Sequence, residues 1–310
     1  SFGTTIGPIL GGFFILEYFG GFEAIGASSV ILPYLFLTAL LLLLALFIWR
    51  AKLPVFTNKE EIKSRSGDDK GALGFRQLKL GAVAIFVYVG AEVAIGSILI
   101  SYFGLPEIAG LSEADASPLI AFYWGGARIG RFLGSIALSK APMRKKWIGM
   151  IGMAIGAFFV VYGSVYLRTG ISFSEVAAFL IFVALNLVAF RFGKSLPGRS
   201  LMVFAVVPII LLVATMMTTG SIAMWTVLGI GIFNSIMWSN IFTLAIHQLK
   251  EYTSQGSSVL IMAIVGGAII PPLQGAVADQ IGIQLSFIVP IICYIYLAYY
   301  GWKGHIPSKA

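Results

Sequence analysis

Long apolar runs separated by short polar turns recur along the whole chain, and the runs are too long and too uniformly apolar for half-buried strands. A membrane-spanning helix needs roughly 20 mostly apolar residues. Ten stretches qualify: 1–18, 29–49, 79–103, 118–138, 147–167, 173–190, 200–218, 221–246, 256–278 and 283–302. The pattern predicts an all-α polytopic membrane protein, a helical bundle with about ten transmembrane helices. The ten-residue alternating segments of a membrane β-barrel are absent. Pro208 and the pair Pro271-Pro272 fall inside predicted spans, where neighbouring helices can satisfy the backbone groups that proline frees. Pro271 is expected to interrupt regular hydrogen bonding in its segment.

One long polar stretch breaks the series, from Arg50 to Lys79, with eight Lys or Arg and four acidic residues. It reads as a cytoplasmic linker between two helical groups. With this linker inside, alternation puts the loops at Lys140–Lys146, Arg191–Arg199 and Lys250 inside too, together with the C-terminal tail. Of the 21 Lys and Arg residues, all but Arg128 and Arg168 then lie on the cytoplasmic side, where basic loops are retained. The net charge of +8 thus has a topological cause. Acidic residues within the linker and the lack of interleaved aromatics argue against a nucleic-acid partner.

Composition sharpens the class. Only 11% of residues are charged and 58% are hydrophobic, with mean hydropathy +0.94. A soluble domain carries about 25% charged residues, so the expected partner of most of the surface is the lipid bilayer. The chain opens SFGTTIGPILGGFFIL, without an initiator Met and without a basic region before an apolar core. That is no signal peptide. It reads as a helix entered part-way, in a fragment lacking its N-terminus. Cys293 is the only cysteine, which excludes a disulfide within the chain and a Cys-based metal cluster. No cofactor motif is present, and neither a Walker sequence, a G-x-S-x-G nor a paired-His zinc signature occurs. His247 at a helix end and His305 in the tail supply no relay across a membrane.

The candidate chemistry lies inside the spans. GAVAIFVYVGAEVAIGSILI, residues 81–100, carries Glu92 near its middle. A central carboxylate costs about 2.5–3.5 kcal/mol on insertion scales and normally faces a bundle interior or a cavity. Arg128 falls at a similar depth in the next, antiparallel span. The two are expected to form an ion pair or share a hydrogen-bond network; the alternative is that they merely hold two helices together. Tyr88 and Glu92 are four apart, as are Trp124 and Arg128, so each pair shares a helix face. Asn234 and Trp238 in GIGIFNSIMWSNIF are expected to share one as well. Indole beside amide, carboxylate and guanidinium suits a polyhydroxylated ring, whose C–H face stacks while its hydroxyls bond; aromatic core filler and interhelical amide contacts are the alternatives. The Gly-dense run 256–275 ends near the proline pair and offers Gln274 as a further candidate.

Four stretches together, YVGAEVAIGS (88–97), FYWGGARIGRFLGS (122–135), GIFNSIMW (231–238) and IVGGAIIPPLQGAVAD (264–279), resemble the fucose permease family. These are sugar–proton symporters of the major facilitator superfamily that carry fucose, glucose/galactose or related sugars. The resemblance implies that residues 1–50 are a remnant of the N-terminal half, its fifth and sixth helices, and that 51–78 link the halves. Residues 79–310 would be the C-terminal half, with an extra helical hairpin near 168–220. It further implies proton-coupled symport of a monosaccharide of the fucose, galactose, glucose or N-acetylglucosamine type, by alternating access, in a monomer of the bacterial cytoplasmic membrane. Tyr88, Glu92, Trp124, Asn234, Trp238 and Gln274 would bind substrate, Glu92 and Arg128 would serve coupling, and Arg131 would gate the cytosolic mouth. A sugar sensor that does not transport, or a polytopic membrane enzyme, is the alternative.

Overall fold

The computed structural model describes residues 31–51, 71–137, 139, 141–193 and 196–307. The first predicted span, 1–18, and linker residues 52–70 lie outside the described residues. The chain divides into two compact units, Ser1–Gly67 and Asp68–Ala310. In the first, helix α1 (Ile31–Arg50) is apolar on every side, as befits a lipid-facing span, and Arg50 in its last turn complements the helix dipole.

The second unit is a bundle of eight helices: α2 (Arg76–Phe103), α3 (Glu113–Ala137), α4 (Met143–Thr169), α5 (Phe173–Gly193), α6 (Pro197–Met217), α7 (Gly220–Ala245), α8 (Lys250–Ile281) and α9 (Ile283–Gly304). Among the described residues, seven helices are long and apolar enough to cross a membrane, which makes the expected count of about ten slightly high. α3 falls below that hydropathy because it carries Glu113, Asp115, Arg128 and Arg131.

Local chemistry sets the turns. Gly170 ends α4 in the left-handed region at φ 64°, a conformation that costs glycine nothing, and its N–H donates to the Tyr166 carbonyl. Two residues on, Glu175 accepts from the Ser172 N–H at 2.9 Å and closes the capping box that opens α5. Helix α8 runs straight through Pro271 and Pro272, which lie inside Gly266–Ile281. The interruption expected at Pro271 appears instead as a 3-10 turn at Ala263–Val265. That turn lies six to eight residues before Pro271, beyond the carbonyl of Gly267 with which the proline ring would clash, so the proline does not account for it.

Small residues bring two pairs of backbones close. A Cβ at Gly266 of α8 would meet the Phe86 backbone of α2, its carbonyl carbon at 2.6 Å. A Cβ at Gly231 of α7 would meet the Tyr123 backbone of α3, its carbonyl carbon at 2.7 Å. The packing follows a repeated pattern: α2 lies against α8 and α9, α7 against α3 and α6, and α6 against α9. Helices α4 and α5 attach outside it, α4 on α3 and α5 on α6 and α7. Phe122 of α3, Phe179 of α5 and Trp225 of α7 fill that junction, with centroids 5.2 and 5.3 Å from Phe122.

Candidate functional site

The site grows from α2. Its unbroken helical register puts Tyr88, Glu92 and Gly96 on one face at four-residue spacing. Gly96 makes room for the next helix: a Cβ there would meet the indole of Trp124 at 2.7 Å and the ring of Tyr123 at 3.3 Å. The two rings of α3 meet edge to face at 5.2 Å and lie against α2 about a turn from Glu92.

Helix α7 supplies the centre. It breaks into a 3-10 turn at Asn234–Ile236, and the fully buried Asn234 side chain is held from both ends. Its Oδ1 accepts from the Tyr294 hydroxyl of α9 at 2.7 Å, while its Nδ2 donates to the Tyr123 hydroxyl at 3.1 Å. Tyr123 in turn donates to the backbone carbonyl of Glu92 at 2.9 Å, and Tyr88 donates to the backbone carbonyl of Asn234 at 2.9 Å. One buried network therefore ties α2, α3, α7 and α9 together. Within it Glu92 Oε1 is buried and has no hydrogen-bond partner. An unmet buried acceptor costs roughly 1–3 kcal/mol, which a proton or a ligand donor would recover.

Every residue named from the sequence can now be placed. Tyr88, Glu92 and Asn234 come together in the network, and Trp124 borders it. Arg128 is half-buried on α3 one turn below Trp124. Arg131, a turn further along, lies where its charge acts on Glu92, and its Nε donates to the Ser235 carbonyl at 3.3 Å. Trp238 is half-buried beyond the break. A 3-10 turn advances about 120° per residue against 100° in an α-helix, so three such residues rotate Trp238 by roughly 60° away from the face of Asn234. Gln274 is buried in α8 and donates to the Ser286 hydroxyl at 3.3 Å, leaving its Oε1 unpartnered. The two described cavities lie elsewhere, one lined by Lys146, Trp147 and Arg191 and one by Glu175, Ser221 and Trp225. Among the described residues no cluster of three or more His, Cys, Asp or Glu could hold a metal ion.

Sequence reasoning missed Tyr123 and Tyr294. Tyr123 precedes a tryptophan that drew the attention, and Tyr294 sits in CYIYLAYY, where every aromatic reads as core filler. The available signal was helical spacing: Tyr123 lies one residue outside the Trp124–Arg128 pair, on the side toward α7.

No protein-family profile matches the chain. It is 41% identical over 305 residues to the glucose/galactose transporter of Brucella abortus (strain 2308), an alignment covering 98% of this chain and 61% of that protein. Identity to the putative glucose/galactose transporter of Helicobacter pylori (strain 26695) is 32% over 317 residues, covering 98% and 63%. The fold matches the Escherichia coli fucose:proton symporter FucP with a TM-score of 0.56, over 100% of this chain and 66% of that one at 22% identity. The chain is thus similar in sequence to glucose/galactose transporters and shares the fold of the fucose:proton symporter. It spans less than two thirds of the length of the glucose/galactose transporters it matches. The four stretches 88–97, 122–135, 231–238 and 264–279 all contribute to the contacts described above. They supply Tyr88 and Glu92, Tyr123 and Trp124, Asn234, and the close contact of Gly266 with Phe86.

Proposed function

We propose that the protein carries a monosaccharide of the glucose/galactose type across the bacterial cytoplasmic membrane together with a proton, by alternating access. The observation that carries this reading is the unpartnered Glu92 Oε1, buried beside a network whose other polar atoms are largely spent on one another. Asn234 is nearly saturated, so it organises the two tyrosines. Glu92 is the group left to accept a sugar hydroxyl or a proton, with Arg131 modulating its charge. Trp124 offers the stacking face, and Tyr88, Trp238 and Gln274 complete the proposed binding set. Arg128 shares the coupling role with Glu92, and Arg131 also closes the cytosolic mouth. The names of the relatives support sugar transport, and nothing in the bundle favours a sensor or a membrane enzyme.

The domain organisation proposed is a remnant of the N-terminal half over 1–50, a linker over 51–78 and the C-terminal half over 79–310. The linker and the C-terminus face the cytoplasm, and the protein acts as a monomer. The extra hairpin was expected near 168–220. The repeated packing pattern includes α6 and leaves out α4, which supports α4 and α5 as the added pair.

The test is uptake of labelled glucose, galactose, fucose and N-acetylglucosamine by proteoliposomes of the full-length protein, with and without an imposed proton gradient. Glu92→Gln should lose gradient-driven accumulation while inserting normally. Accumulation by that variant at the wild-type level would remove Glu92 from the mechanism.

A further inference from the structure

We infer that Asn186, on α5 of the added hairpin, is a positioning residue for the sugar site: it holds open the break in α7 from which Asn234 projects. The inference rests on the transport reading above and assigns a role to a helix that lies outside the repeated packing pattern.

A helix that tightens into a 3-10 turn leaves carbonyls without their usual donors four residues on. Around Asn234–Ile236 three such carbonyls are satisfied by side chains from three other helices. Asn186 Nδ2 of α5 donates to the Ile232 carbonyl at 3.1 Å. The Tyr88 hydroxyl of α2 donates to the Asn234 carbonyl at 2.9 Å, and Arg131 Nε of α3 donates to the Ser235 carbonyl at 3.3 Å. Two of these donors belong to helices that carry proposed site residues. The third, Asn186, comes from a stretch, FLIFVALNLVAFRFG, whose one other polar side chain is Arg191 in the last turn.

The setting of Asn186 argues against simple space filling. It is fully buried, and its Oδ1 has no hydrogen-bond partner, so the amide brings an unmet acceptor into the core. An apolar side chain of the same shape would avoid that penalty. What the amide supplies and a leucine could not is the donor to Ile232. The geometry around the donor is rigid. One turn back on α5, Phe182 packs so tightly on Gly229 of α7 that a Cβ there would meet its ring at 2.5 Å. On the opposite side, a Cβ at Gly130 of α3 would meet the same Ile232 carbonyl at 2.5 Å. Ile232 is therefore clamped between α3 and α5, two residues before the asparagine that anchors Tyr123 and Tyr294.

If the donor to Ile232 is lost, α7 gains by closing the break into regular helix. That rotates Asn234 out of register with its tyrosines, and the perturbation reaches sugar through Asn234 although Asn186 touches no substrate. The experiment measures galactose and glucose binding to the purified full-length protein by tryptophan fluorescence, with thermal unfolding on the same samples. Asn186→Leu keeps the shape and removes the donor. It should weaken binding by at least about five-fold, the scale of one hydrogen bond, without lowering the unfolding temperature. The longer pair Asn186→Gln and Asn186→Met separates donor from volume: Gln should bind more tightly than Met. Binding by Asn186→Leu at the wild-type level, or equal binding by Gln and Met, overturns the inference. So does an outcome in which only amide-bearing variants accumulate, since the amide would then serve the whole fold. Wild-type protein that binds neither sugar would instead overturn the transport reading.

Discussion

Gly231 is one of the two tightest backbone contacts in the bundle, and a single methyl group there tests how the site is built. In Gly231→Ala the new Cβ would fall against the Tyr123 carbonyl group, with its carbon at 2.7 Å and the Tyr123 Cα at 2.9 Å. Ordinary contact between such atoms is about 3.5–4.0 Å, so α3 and α7 must part by roughly 1 Å. The atoms met are backbone, so no rotamer change can relieve the overlap. Overpacking of this kind costs about 1–3 kcal/mol. Tyr123 sits at the point of contact and bonds Asn234 at 3.1 Å, so the same displacement stretches the network where the two helices meet. The control is Gly156→Ala in α4, where a Cβ meets nothing within 4 Å. There alanine's better helix propensity should stabilise by up to about 1 kcal/mol. Thermal unfolding in detergent, read with sugar binding on the same samples, measures both. Gly231→Ala should unfold at a lower temperature and bind sugar weakly, and Gly156→Ala should do neither. Equal stability of the two variants would refute the claim that α3–α7 contact positions the site.

Two further outcomes follow from the hydrogen bonds. Asn234→Ala and Tyr294→Phe, singly and together, should show a coupling of about 0.5–3 kcal/mol in a double-mutant cycle of unfolding free energies, because each removes one end of the 2.7 Å bond. Additive losses would show that the bond contributes little. Glu175→Ala opens the capping box at the start of α5 and should raise hydrogen exchange over Ser172–Val176 while sugar uptake stays near the wild-type level; unchanged exchange would mean the cap is idle.

Much of this architecture is legible in the sequence because lipid imposes a coarse rule. Spans must be long and apolar, and a carboxylate such as Glu92 stands out against them. The faces of α2 and α3 follow from four-residue spacing, since neither helix is interrupted. The break in α7 is not legible. GIGIFNSIMWSNIF contains no proline, and its 3-10 turn depends on donors brought by Tyr88, Arg131 and Asn186 from elsewhere in the chain. For the same reason the expected face shared by Asn234 and Trp238 is twisted apart. Gln274 shows a related difficulty: a polar side chain in a Gly-rich segment signals an interior position but not which partner it meets, here Ser286.

The clamp on α7 also bears on where such a machine can flex. Asn234 and its backbone are tied by direct bonds of 3.1 Å or less to α2, α3 and α9, so these helices cannot slide past one another without breaking buried contacts that no water can replace. Under the alternating-access reading proposed above, this knot would stay intact as a pivot. Motion would then be left to segments that carry none of these bonds.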